Sequence, residues 1–159
     1  MTPVTEKTIK EKMLELANKL EYKYRNLDYL THAMFTKKID NTAKSNYSNS
    51  SMATVGDAVL KLIISDNFYR KNKTRGEITQ IKSIVESNSN FYIISNQLGL
   101  CHYAYNDQYF FDDAPQHLRL PSGEHDVYLE AVACAVFHDL GFEACRDWVE
   151  HTILPSLRL

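Results

Sequence analysis

The segment Val127 to Phe137 is apolar at every position except Glu130. A helix that is apolar all round has to be buried, so the rest of such a chain must supply faces that surround it. The remaining segments do so at helical spacing. Ile9, Met13, Leu14, Leu16, Ala17 and Leu20 recur between Thr5 and Leu20, with lysines and glutamates opposite them. Thr5 offers one N-cap for that helix, and Thr8-Ile9-Lys10-Glu11 fits a capping box that would start it later. A short helix is expected over Leu27 to Phe35. Between Met52 and Tyr69, the residues Met52, Val55, Val59, Leu62, Ile63 and Phe68 form one broad stripe, interrupted by Gly56. A glycine there costs about 1 kcal/mol against alanine, which suggests close packing against its backbone. Ile78, Ile81, Ile84 and Val85 mark the next helix, and Asn90 to Leu98 another that stops at Gly99. After the turn Asp139-Leu140-Gly141, a last helix runs from Phe142 to Leu154 and is closed by Pro155.

No segment alternates as a strand does, so the fold class is all-α, about seven helices in one domain over residues 1–159. Two segments are not helical in pattern. Thr36 to Ser51 is rich in Asn, Ser and Lys and is expected to be mobile, and Cys101 to Pro121 is aromatic without a clear period.

Composition sets the outer limits. With 44% hydrophobic and 24% charged residues, the chain can bury a core without disulfides, which excludes a disordered or stapled mini-protein. The three cysteines show no C-x-x-C spacing, which suits a reducing compartment. A net charge of −2 excludes nucleic-acid binding by bulk positive charge, but leaves local basic patches or metal ions held by carboxylates. No run reaches the ~18 apolar residues of a membrane span, and Met1 to Lys12 is too polar for a leader, so a cytoplasmic protein is expected, with no membrane partner.

Two acids stand in the most apolar helices: Asp57 in Val55-Gly56-Asp57-Ala58-Val59-Leu60, and Glu130 in Val127-Tyr128-Leu129-Glu130-Ala131-Val132. Buried carboxylates cost several kcal/mol unless paired or bound to metal. Either each turns away from the core or pairs with a lysine such as Lys61, or the two helices cross with the carboxylates facing. In the second case they form a hard-cation site suited to Mg²⁺ or Mn²⁺. The basic turn Lys71 to Arg75, with Lys82 beyond it, is either a phosphate-gripping face or a solvated one. The aromatics of Tyr103 to Phe111 fit core or dimer packing better than base stacking, because a duplex exposes no base faces. Cys134 is explained by packing, and His32 is expected to be structural.

The stretch Asn49-Ser50-Ser51-Met52-Ala53-Thr54-Val55-Gly56-Asp57-Ala58-Val59-Leu60 resembles the ribonuclease III signature N-E-R-L-E-F-L-G-D-A-V-L. Leu30-Thr31-His32-Ala33 resembles the family's L-T-H-x. Gly76-Glu77-Ile78-Thr79-Gln80-Ile81-Lys82-Ser83 resembles G-E-L-T-x-L-R-x, and Gln97-Leu98-Gly99-Leu100 resembles E-L-G-L. Glu130-Ala131-Val132 through Asp139-Leu140-Gly141-Phe142-Glu143-Ala144-Cys145 resembles E-A-L-I-G-A-I-Y-L-D-x-G-F-E-A-A. Five segments in family order cover about Leu30 to Val149. The resemblance implies an all-α endonuclease domain that cuts double-stranded or structured RNA with Mg²⁺ or Mn²⁺, in RNA processing, as a homodimer. Asp57 and Glu130 would be its catalytic metal ligands, and Lys73, Arg75 and Lys82 an RNA-binding face.

The chain also departs from that pattern. The family's two signature glutamates fall on Ser50 and Ala53, its interface phenylalanine on Thr54, its arginine on Ser51, and the aspartate before the catalytic glutamate on Val127. Asp126, four residues before Glu130, shares that helix face and is the candidate replacement as a metal ligand. The reduced acid set is similar to that of mini-ribonuclease III, which likewise has no appended double-stranded-RNA-binding domain. None is expected here, because few residues follow Val149. The alternative is a non-catalytic scaffold of the same fold that binds RNA or a protein. Without an appended domain, a structured substrate or a protein partner presenting the RNA is expected.

Overall fold

The first helix begins where the sequence offers a reciprocal cap. In the computed structural model, which describes residues 1–36, 49–86, 89–118 and 127–157, α1 runs Glu6–Lys19. Thr5 Oγ1 accepts the Thr8 N–H at 3.2 Å, and Thr8 Oγ1 accepts the Thr5 N–H at 2.9 Å. The box therefore closes on Thr5 rather than on Thr8 to Glu11, satisfying two N–H groups that a helix start leaves open. Met13, Leu16 and Ala17 turn inward, while Leu14 lies on the outer side.

Six further α-helices follow: α2 (Asp28–Met34), α3 (Ser50–Arg70), α4 (Arg75–Glu86), α5 (Ser89–Gln97), α6 (Tyr128–Leu140) and α7 (Phe142–Trp148). No strand occurs among the described residues; Tyr105 forms isolated bridges to Phe35 and Phe110. Among the described residues the fold is all-α with seven α-helices, as the periodicity predicts. Most of Thr36 to Ser51 lies outside the described residues, and α3 starts two residues earlier than its apolar pattern suggests. The last helix is shorter than expected. After Trp148 the chain passes into a π-turn (Val149–Ile153) and a 3₁₀ turn at Pro155 (Leu154–Ser156).

The α6 helix is the axis of the domain. Every residue from Tyr128 to Val136 is buried, and α3, α2, α7 and α5 pack around it. Burying each of its larger apolar side chains stabilises the fold by roughly 1.5–3 kcal/mol. The aromatic segment after α5, which contains short 3₁₀ turns, completes this core: Tyr105 and Phe110 are buried, and the Tyr105 hydroxyl donates to the Thr31 carbonyl at 3.1 Å. At the far end of α6, Asp139 accepts the Tyr22 hydroxyl at 2.5 Å and the N–H groups of Arg25 and Asn26 at 2.8 and 2.9 Å. That carboxylate clamps the α1–α2 connection to the end of the axis. Gly141, at φ +88°, then makes the turn into α7 in a backbone region that side chains disfavour.

The stripe expected on α3 is corrected by the structure. Val59, Ile63 and Phe68 are buried, together with Gly56, Leu60 and Ile64. Val55 and Leu62 face outward, 38% and 56% exposed, and Tyr69 continues their line at 70%. Both faces of α3 are apolar, and the one turned inward is the one whose glycine lets α6 approach.

Candidate active site

The closest feature of the domain is the crossing of α3 and α6 at Gly56. A Cβ placed on Gly56 would stand 1.6 Å from the Glu130 carbonyl oxygen, 2.5 Å from its carbon and 3.1 Å from the Cys134 nitrogen. All three are backbone atoms, so only glycine fits without moving a helix. This contact fixes the relation between the two singled-out acids. Asp57 follows the contact glycine on α3, and Glu130 is the residue it touches on α6.

The two carboxylates sit in different surroundings. Glu130 is 8% exposed, within the buried face of α6. The Asp57 side chain is 41% exposed and pairs with Lys61, one turn along α3, at 2.9 Å. The structure thus shows the lysine pairing at Asp57 that the sequence left open beside the facing arrangement. Two positions where the family carries acids, Ala53 and Val127, lie one turn before Asp57 and Glu130, and are packed at 7% and 6% exposure. Asp126 lies outside the described residues.

Among the described residues, no group of three or more His, Cys, Asp or Glu side chains is placed to hold a metal ion. One carboxylate from each of two crossing helices does fit a hard divalent cation. Mg²⁺ is typically held by one or two protein carboxylates, with water and substrate phosphate completing an octahedron. The pair does not amount to a four-acid cluster.

The expected basic face is assembled at the other end of α3. Thr74 caps α4, its hydroxyl accepting the Glu77 N–H at 3.2 Å while Glu77 accepts the Thr74 N–H at 3.0 Å. Those bonds to Thr74 hold the Glu77 carboxyl below its usual range. Arg75 opens the helix and Lys82 lies two turns on, both exposed; Lys73 is 3.9 Å from Glu77, which offsets part of its charge. Arg70, where α3 ends, lies roughly 20 Å along the helix axis from Asp57. The turn that begins this face therefore lies at the far end of α3 from Asp57, while Arg75 and Lys82 belong to α4.

Other residues resolve more simply. Cys134 and Cys145 are buried, and burial pushes both thiols up, Cys145 to about 12, so neither is poised as a nucleophile. His32 is exposed on α2 rather than built into the core. Asn49 is a site-positioning residue that reading by periodicity passes over. It is 1% exposed and its Nδ2 donates to the Ala33 carbonyl at 2.5 Å, which pins the start of α3 to α2. Its signal in the sequence is its match to the first residue of the family signature, just ahead of the helix.

The domain is thus all-α, with its central helix crossed at a glycine and an acid residue on each helix at the contact. The ribonuclease-III-like family profile matches residues 26–157, and the chain belongs to that family of endoribonucleases. It is similar to a ribonuclease 3 of Fusobacterium nucleatum, 33% identical over 92 residues, covering 55% of this chain and 39% of that protein. A ribonuclease 3 of Clostridium acetobutylicum is 26% identical over 155 residues, covering 87% of this chain and 60% of that protein. The chain thus spans about 39% and 60% of the lengths of these two relatives. In structure it is similar to the nuclease domain of ribonuclease III from Campylobacter jejuni, with a TM-score of 0.69 at 22% identity, covering 94% of this chain and 96% of that domain. Among the described residues, no helix is long and apolar enough to cross a membrane.

Proposed function

We propose that this chain is a divalent-metal-dependent endoribonuclease of double-stranded or structured RNA that works as a homodimer. The observation that supports the reading is the Gly56 contact, which sets the turn of α3 that carries Asp57 against the backbone of Glu130, in a chain that belongs to a family of endoribonucleases. These two side chains would hold Mg²⁺ or Mn²⁺, with Asp126 as auxiliary ligand. When bound, such an ion supplies a water-derived nucleophile and stabilises charge developing on the scissile phosphate. Asp57 is the solvent-accessible member of the pair, whereas Glu130 lies within the buried face of α6. Arg75, Lys82 and Lys73 would grip backbone phosphates, reading the duplex by shape rather than sequence.

The homodimer is supported by the outward line Val55, Leu62 and Tyr69, apolar residues two turns apart along the helix that carries Asp57. A related Campylobacter jejuni structure is described as showing flexibility in a region involved in dimer formation. A partner copy laid on this face would bury it and set a second pair of carboxylates beside the first.

The test is cleavage of a long duplex RNA at low salt with Mg²⁺ or Mn²⁺, comparing wild type with Asp57→Asn and Glu130→Gln. Metal-dependent products from wild type alone are expected. An Asp57→Asn protein that still cuts would overturn the ligand assignment. A second reading, a non-catalytic scaffold, is favoured by the apolar packing of Ala53 and Val127. It requires that wild type, confirmed as a dimer, cut with neither metal.

A further inference from the structure

Lys61 is the cation already present at the candidate site. Its ammonium lies 2.9 Å from Asp57 Oδ2, and its side chain is only 29% exposed, less than the carboxylate it meets. Most i,i+4 pairs on a helix surface are solvated and carry no function. This one differs in its location. Its acid is the residue next to the Gly56 contact, on the helix that crosses Glu130. Its lysine stands one turn beyond Asp57, and the positions one turn before Asp57 and Glu130, Ala53 and Val127, are packed as apolar residues. Asp57 is the more exposed of the two acids proposed to meet a divalent ion, and Lys61 neutralises its charge.

Building on the reading of Asp57 as a metal ligand, we propose that Lys61 is a resident counter-cation that competes with the divalent ion for Asp57 and keeps the metal affinity of the RNA-free protein low. An ammonium on a flexible four-carbon stem can hold the carboxylate when no metal is bound, and must leave Oδ2 when one arrives. Every metal-loading event then includes breaking that pair, and the displaced charge stays nearby to repel the ion. Lys61 is a positioning residue in this role, acting through Asp57.

The experiment is a Mn²⁺ titration without RNA, following free Mn²⁺ by electron paramagnetic resonance. Wild type is compared with Lys61→Met, Lys61→Gln, Lys61→Arg and Asp57→Asn, each checked for helical content. Removing a unit charge a few ångströms from a divalent ion in a largely aqueous setting tightens binding by roughly three- to tenfold. Lys61→Met and Lys61→Gln should therefore bind Mn²⁺ more tightly by that factor. Lys61→Arg should match wild type, and Asp57→Asn should bind more weakly. If both neutral variants bind like wild type while Asp57→Asn is weaker, the competition is refuted and the ligand reading stands. If no protein in the series, the neutral variants included, binds Mn²⁺ measurably, the ligand reading and the proposal fall together.

Discussion

Gly56→Ala is the substitution to which this architecture is most sensitive. The new methyl would start 1.6 Å from the Glu130 carbonyl oxygen, against an ordinary contact of about 3.4 Å or more, and the opposing atoms are backbone. No side chain can rotate away, so α3 and α6 must part by roughly 1.5–2 Å over the crossing, which forfeits much of the dispersion energy there. Overpacking of this kind costs roughly 1–3 kcal/mol when side chains can yield, and more when they cannot. The helix-propensity gain of alanine, about 1 kcal/mol, offsets only part of it. A net loss of about 3 kcal/mol is expected. For a domain of this size that lowers the melting temperature by roughly 6–12 °C. Thermal and urea melts followed by circular dichroism at 222 nm measure it directly. Any Gly56→Ala protein that remains folded should also lose cleavage by about a hundredfold or more, because Asp57 and Glu130 no longer keep their spacing. A variant as stable as wild type would refute the close crossing, and with it the argument that joins the two carboxylates.

Two further outcomes follow from other parts of the domain. Leu62→Glu, on the outward face of α3 at 56% exposure, should convert the proposed homodimer to monomer in sedimentation velocity, weakening association by roughly thirtyfold or more if Leu62 is central to the interface. The monomer's melting temperature should barely change, since exposed substitutions seldom exceed about 0.5 kcal/mol, and a persisting dimer would exclude this face. Cys145, buried and with its thiol pushed from 9.0 up to about 12, keeps its proton in the folded state at a pH where the unfolded chain has lost it. Its contribution is whole below pH 9 and drains away between pH 9 and 12, at a slope approaching about 1.4 kcal/mol per pH unit. Urea stability measured at pH 8, 9 and 10 should therefore fall more steeply for wild type than for Cys145→Ala, and parallel curves would contradict the burial assigned to that thiol.

Much of this molecule is readable from local pattern. The spacing of Ile78, Ile81, Ile84 and Val85, the stop at Gly99 and the unbroken apolar run of α6 each report a helix, because side-chain burial at a 3.6-residue period is a local property. The two acids of the candidate site were legible for the same reason: Asp57 and Glu130 interrupt the apolar runs Val55–Leu60 and Val127–Phe137. The ordered motifs carried the family. The rotation of α3 was not legible, because a helix apolar on two sides has no preferred face in its own sequence. Only the approach of α6, which is possible solely over Gly56, chose the face bearing Val59 and Ile63 and left Val55 and Leu62 outside.

The same division holds for the chemistry. The sequence determined which residue types are available: an acid within the apolar run of each of two helices, a lysine one turn from the first, and apolar side chains at Ala53 and Val127. Whether Asp57 met Lys61 or turned inward depended on which side of α3 faces α6, a matter of packing between segments more than seventy residues apart. The tertiary structure decided that Asp57 stays half-open beside its lysine while Glu130 is buried. The physical reason is that backbone contact at Gly56 aligns the two helices there, and no single segment encodes that contact alone.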